Sequence, residues 1–93
     1  MRYKLVLAKS FKKDYKRISK QRLDLSKLDK IVQILLSGRP IPGFYNDHPL
    51  KGNLKELREL HIQPDWILIY RKIENLLILV LSRTGSHADL LRK

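Results

Sequence analysis

Apolar residues recur along this chain at two periods, and the switch between them divides it in half. YKLVL (Tyr3–Leu7) reads as a short strand. After it Phe11, Tyr15 and Ile18 recur at helical spacing, with lysines and arginines between them and Ser10 available as an N-cap. Ser26-Lys27-Leu28-Asp29 has the form of a capping box. Leu28, Ile31, Val32, Leu35 and Leu36 then follow the i, i+3, i+4, i+7, i+8 pattern of a one-sided helix. Gly38 is a stop signal, and Pro40 and Pro42 forbid continuation. The first half is therefore expected to be a strand followed by two antiparallel helices.

RPIPGFYNDHPLKGN (Arg39–Asn53) holds three of the four prolines and reads as a loop, where function concentrates. Three strand candidates follow. Leu54–Ile62 is joined to Trp66–Lys72 through Gln63-Pro64-Asp65, and Leu76–Ser82 follows through Glu74-Asn75. The run LLILVL predicts a central strand covered on both faces. A second capping box, Ser86-His87-Ala88-Asp89, predicts a last helical turn. The expected fold is α+β, a single domain over residues 1–93 in the order βααβββα. Two N-terminal helices would pack on one face of a mostly antiparallel four-stranded sheet.

Charge adds a partner to this picture. Twenty Lys and Arg against nine Asp and Glu give a net charge of +11. So basic a small domain attracts polyanions, which points to nucleic acid or the ribosome. No basic amphipathic helix with an aromatic face argues for a membrane. The absence of cysteine excludes disulfides, zinc–thiolate sites and thiol catalysis. The N-terminal apolar run is too short for a signal peptide or a membrane span, so a soluble cytoplasmic protein is expected.

All three histidines lie in the second half: His48 in the loop, His61 on a strand, His87 at a helix start. Strand alternation puts Glu59, His61 and Gln63 on one sheet face if Leu60 and Ile62 face the helices. Asp65 sits at the hairpin turn, and Arg83 leaves the neighbouring strand just before His87. Each has an ordinary reading. His48 can cap a turn, His61 can pair with Glu59, Asp65 can be a turn former, and Trp66 and Tyr70 can be core. Lys9, Lys12, Lys13, Lys16 and Lys20 can be a solvated helix face. Jointly, titratable groups near one face suit proton transfer at neutral pH. A helix N-terminus is expected to disfavour the cationic form of His87 and to place a phosphate beside it. Arg83 suits the charge that develops on phosphorus. These parts fit metal-independent RNA cleavage through the ribose 2′-hydroxyl. A metal and other cofactors are not expected, because the histidines and Asp65 lack local ligand spacing such as H-x-H or HExxH.

The combination DHPL-x-G, RE-x-H-x-x-PDW and RTG-x-H, within DHPLKGNLKELRELHIQPDWILIY and SRTGSHADLL, closely resembles the YafQ-like toxins of the RelE/ParE superfamily. The likeness covers nearly the whole chain. It implies a type II toxin–antitoxin system, with an mRNA interferase that cuts message in the ribosomal A site and a cognate antitoxin that neutralises it. By motif, the resemblance carries catalytic roles to His48, His61, Asp65, His87 and Glu59, the last standing where the family has aspartate. Arg83, Arg58, Lys51 and Leu91 are expected on the RNA, with Leu91 replacing a family aromatic. Two other readings stay open: a non-enzymatic toxin of ParE type acting on DNA gyrase, and a plain basic RNA- or ribosome-binding module.

Overall fold

The computed structural model describes residues 2–90. The elements are β1 (Lys4–Leu7), α1 (Lys9–Ile18), α2 (Leu25–Ser37), β2 (His48–Pro49), β3 (Arg58–Gln63), β4 (Trp66–Ile73), β5 (Ile78–Gly85) and α3 (His87–Leu90). The α+β class and the two helices ahead of the sheet are as expected. The sheet is not four-stranded. A two-residue strand inside the expected loop makes a fifth, in the order β1-β5-β4-β3-β2. His48 pairs with Glu59 and Pro49 with Arg58, so the loop is stitched to the sheet at the point where it carries a histidine. All pairings are antiparallel except β1 with β5.

One face of the sheet carries the core. Leu60 and Ile62, Trp66, Leu68 and Tyr70, and Leu79 and Leu81 alternate toward the helices. Phe11 and Ile18 of α1 and the stripe Leu28, Ile31, Val32, Leu35, Leu36 of α2 pack with them, each fully buried aliphatic contributing roughly 1.5–3 kcal/mol. The expected two-sided burial of LLILVL does not occur. Val80 is only half-buried, since the helices cover one face, and the centre of the sheet is β4. On the opposite face Ile67 and Ile69 are buried as well, and their cross-strand partners are His61 and Glu59.

Two expected caps are reassigned. Helix α2 is capped by Asp24, whose carboxylate accepts the Ser26 amide at 3.1 Å, two residues ahead of the capping box read from sequence. Helix α1 has Ala8 at its N-cap with no side-chain bond. Ser10 donates instead to the Ser82 carbonyl at 2.7 Å. The reason lies in the sheet edge: β1 pairs with β5 only as far as Leu81. Beyond that point α1 takes over the edge. Asp14 accepts the Thr84 amide at 3.1 Å, and Arg17 donates to the Thr84 carbonyl at 3.3 Å. Ser10, Asp14 and Arg17 are spaced to share one helix face, so a helix satisfies backbone groups that a strand would otherwise pair. Gly38 ends α2 in the left-handed conformation at φ +77°, as its position predicts.

Candidate active site

Strand alternation puts Glu59 and His61 on the face away from the helices, and the other histidines converge there from distant elements. Glu59 is buried, with 5% of its surface exposed, and its Oε2 faces three imidazoles. His87 Nε2 lies at 3.3 Å, His61 Nε2 at 3.5 Å and His48 Nε2 at 3.9 Å. The rings form a row, with centroids 6.1 Å apart for His48–His61 and 5.2 Å for His61–His87. Asp65 completes the cluster from the β3–β4 turn. Its Oδ1 accepts from the His87 ring Nδ1 at 3.1 Å and from the His87 backbone amide at 3.2 Å. All five residues assigned to catalysis therefore fall in one place, and Asp65 is more than a turn former.

His48 Nδ1 faces the Asn46 carbonyl at 2.8 Å, which can only accept, so Nδ1 carries a hydrogen and Nε2 is the nitrogen turned toward Glu59. Both nitrogens of His87 face carboxylates, so its cationic form makes two donations. The bond to Asp65 raises the His87 pKa above its usual value of 6.5. Burial opposes this, and Glu59 adds to it. The same bond lowers Asp65. This reverses the expectation that the helix N-terminus disfavours the cation. Helix α3 has four residues, and the carboxylate bonded to the ring outweighs so short a dipole. The first free amide of α3 is also taken by Asp65 rather than offered to a phosphate. Ser86 does cap the turn as expected, accepting the Asp89 amide at 3.1 Å. His61 Nδ1 is buried without a partner, which suits a ring held to orient Glu59 through Nε2.

The residues assigned to RNA are placed less uniformly. Arg83 is 38% exposed, and its Nε and Nη2 are bonded to Asp14 at 2.6 and 3.1 Å. A bulge sets its direction. Tyr70 pairs with Leu81 and Ile69 with Arg83, leaving Ser82 as the extra residue. Arg58 is committed to Asp47, with Nη2 at 3.0 Å. Lys51 is exposed at the head of the turn Gly52–Leu54. Leu91 lies outside the described residues. Sequence reading missed Asp47 and Asp14. Asp47 accepts from Arg58 and from the Tyr70 hydroxyl at 2.5 Å and so anchors the loop next to His48. Its only signal in the sequence is its place in the DHPL motif.

Glu59, His61 and His87 each offer one ligand atom, and these atoms lie within 4.8 Å of one another. Two imidazoles and a carboxylate are a donor set that zinc or copper accepts. The fold supplies this grouping although no local ligand spacing announces it.

Residues 3–92 match the family described as "Bacterial toxin of type II toxin-antitoxin system, YafQ". The mRNA interferase toxin YafQ of Escherichia coli K12 is 42% identical over 81 residues, 86% of each chain. The E. coli DinJ–YafQ complex contains a chain that superposes with a TM-score of 0.87 at 37% identity, covering 95% of this chain and 97% of that one. A metal-bound toxin from Helicobacter pylori superposes at 0.88 and 41% identity, covering 95% and 98%. On this match over nearly its full length, the chain belongs to the YafQ family of bacterial toxins of type II toxin–antitoxin systems.

Proposed function

We propose that this toxin is an endoribonuclease that cuts messenger RNA in the ribosomal A site by acid–base chemistry at the 2′-hydroxyl, and that an antitoxin restrains it by binding. The observation that carries the reading is a buried carboxylate, Glu59, facing three histidines, of which His48 donates from Nδ1 to a carbonyl and His87 faces carboxylates with both nitrogens. His48, whose Nδ1 donates to the Asn46 carbonyl and leaves Nε2 facing the cluster, takes the proton of the 2′-hydroxyl at Nε2. The new O2′–P bond forms as the P–O5′ bond breaks. His87, held cationic by Asp65 and Glu59, gives its Nε2 proton to the departing 5′ oxygen. The products are a 2′,3′-cyclic phosphate and a 5′-hydroxyl, and DNA, lacking the 2′-hydroxyl, is spared. His61 fixes the Glu59 carboxylate between them. Arg83, whose exposed guanidinium retains unused N–H groups, takes the phosphate charge. The exposed lysines of α1 and a net charge of +11 suit ribosomal RNA, and they equally suit an acidic antitoxin.

The test expresses wild type and His87→Ala without antitoxin and maps transcript 5′ ends. New ends with wild type and none with the variant support the reading. Growth arrest with intact transcripts and gyrase-dependent DNA breaks would refute it in favour of a binding-only toxin.

A further inference from the structure

Asp14 is buried on α1, the helix that takes over the edge of β5 from β1, and the acid–base chemistry above gives it no part. Two of its hydrogen bonds go to one side chain, Arg83. Oδ2 accepts from Arg83 Nε at 2.6 Å and Oδ1 from Nη2 at 3.1 Å, so the guanidinium is held side-on by a pair of bonds. The carboxylate is itself fixed. The Thr84 amide donates to Oδ2 at 3.1 Å, and Arg17 Nη1 donates to Oδ1 at 2.9 Å. Its charge is thus divided between two guanidiniums and does not cancel that of Arg83 alone. Arginine has five N–H donors, and the side-on pair occupies two of them. Among the described residues the other three have no partner. They include the end-on fork, one hydrogen on Nη1 and one on Nη2, which fits two oxygens of a phosphate.

The register puts Arg83 on the sheet face that carries the histidines. Ile69 pairs with Glu59 on one side and with Arg83 on the other, so the three stand in one row and share the face away from the helices. Two interstrand spacings separate the Arg83 backbone from that of Glu59 by roughly 10 Å. An arginine arm and a nucleotide phosphate together span that gap. A half-exposed arginine without a partner would sample several rotamers and give up that freedom on meeting the phosphate. The bonds to Asp14 remove the freedom before the RNA arrives.

We propose that Asp14 is a positioning residue for RNA cleavage, its side-on bond setting the Arg83 guanidinium so that the free end-on fork meets the scissile phosphate. The proposal rests on the ribonuclease reading above, and the experiment separates the two. Wild type, Asp14→Asn, Arg83→Ala and the double variant are assayed on ribosomes programmed with a defined mRNA. Single-turnover rates are measured against ribosome concentration, at a temperature where circular dichroism shows every variant folded. Asn keeps an oxygen for the Thr84 amide but loses the charge and turns an NH2 toward a guanidinium. Asp14→Asn should lower the maximal rate about tenfold, a coupling usual for residues in one hydrogen-bond network, with little change in the half-saturating concentration. In the Arg83→Ala background the same substitution should change the rate less than about twofold, because the group it positions is gone. If Arg83→Ala cuts too slowly to measure, Arg83→Lys takes its place, since an ammonium cannot make the side-on pair. If Asp14→Asn does not fold, Asp14→Glu, which displaces the carboxylate, carries the same cycle. An unchanged rate in Asp14→Asn, or an equal loss in both backgrounds, overturns the proposal, the second because Asp14 would then act through the fold alone. Wild type that cuts no RNA refutes the ribonuclease reading instead.

Discussion

Replacing Asp14 should cost this fold more than any change on the same helix face would suggest. Asp14 lies in a lysine-rich segment yet is only 2% exposed. It accepts from Arg83 at 2.6 and 3.1 Å, from Arg17 at 2.9 Å and from the buried Thr84 amide at 3.1 Å. Asp14→Ala leaves that amide unpaired where water cannot reach it, which costs about 1–3 kcal/mol. The two guanidiniums are about 40% exposed and regain water, so their lost ion pairs add only on the order of 1 kcal/mol together. A total near 3 kcal/mol, at roughly 4–8 °C per kcal/mol for a domain of this size, lowers Tm by about 12–24 °C. Asp14→Asn keeps an oxygen for Thr84 and should lose only about 4–8 °C. The difference depends on pH. Burial pushes the Asp14 carboxyl up, but the bonds from Arg83, the Thr84 amide and Arg17 outweigh it and leave it below 3.8. A depressed carboxyl contributes stability above its unfolded pKa and loses it as pH falls through the folded one, so the gap between wild type and Asp14→Asn should close in acid. Thermal unfolding by circular dichroism at pH 7 and pH 3 reads both effects. An Asp14→Ala Tm within about 3 °C of wild type would refute the reasoning, because the Thr84 amide would then not need its partner.

Three further perturbations act on the cluster and on the loop that presents His48. Asp65→Asn removes the main cause of the raised His87 pKa. A general acid is lost as pH rises through its pKa, so the alkaline limb of the cleavage profile should move toward lower pH, and an unmoved limb would assign the acid elsewhere. Asp47→Ala should release the loop that presents His48 and leave the Tyr70 hydroxyl buried and unpaired, costing about 1–3 kcal/mol by denaturant unfolding. Tyr70→Phe removes the same bond without orphaning the hydroxyl, so it should cost less while leaving the Arg58 bond to Asp47 in place.

What could be read from sequence, and what could not, follows from how far each contact reaches along the chain. The one-sided stripe of α2, its stop at Gly38 and the Ser86 cap all depend on residues within a turn or two, so their signals are local and held. Ser10 was misassigned and Asp14 was missed for one shared reason. Both serve the edge of β5 where β1 stops, about 70 positions away. Nothing near either residue records where a parallel strand will run out. The histidine cluster shows the same limit in its electrostatics. The alternation of β3 correctly sent Glu59 and His61 to one face, the distant His48 and His87 strengthened the proton-transfer reading, and the motif resemblance made it specific. The direction of the His87 pKa was misread, because a helix-terminus argument sees only the following residues. The group that decides it is Asp65, 22 positions earlier, which bonds both the ring and the amide. Asp65 thereby does two things the local reading kept apart: it occupies the amide that a phosphate would need, and it favours the charged form of the ring proposed to supply a proton. The anion site expected at that helix and the general acid proposed there cannot both be served by the same bonds, and the observed hydrogen bonds favour the acid.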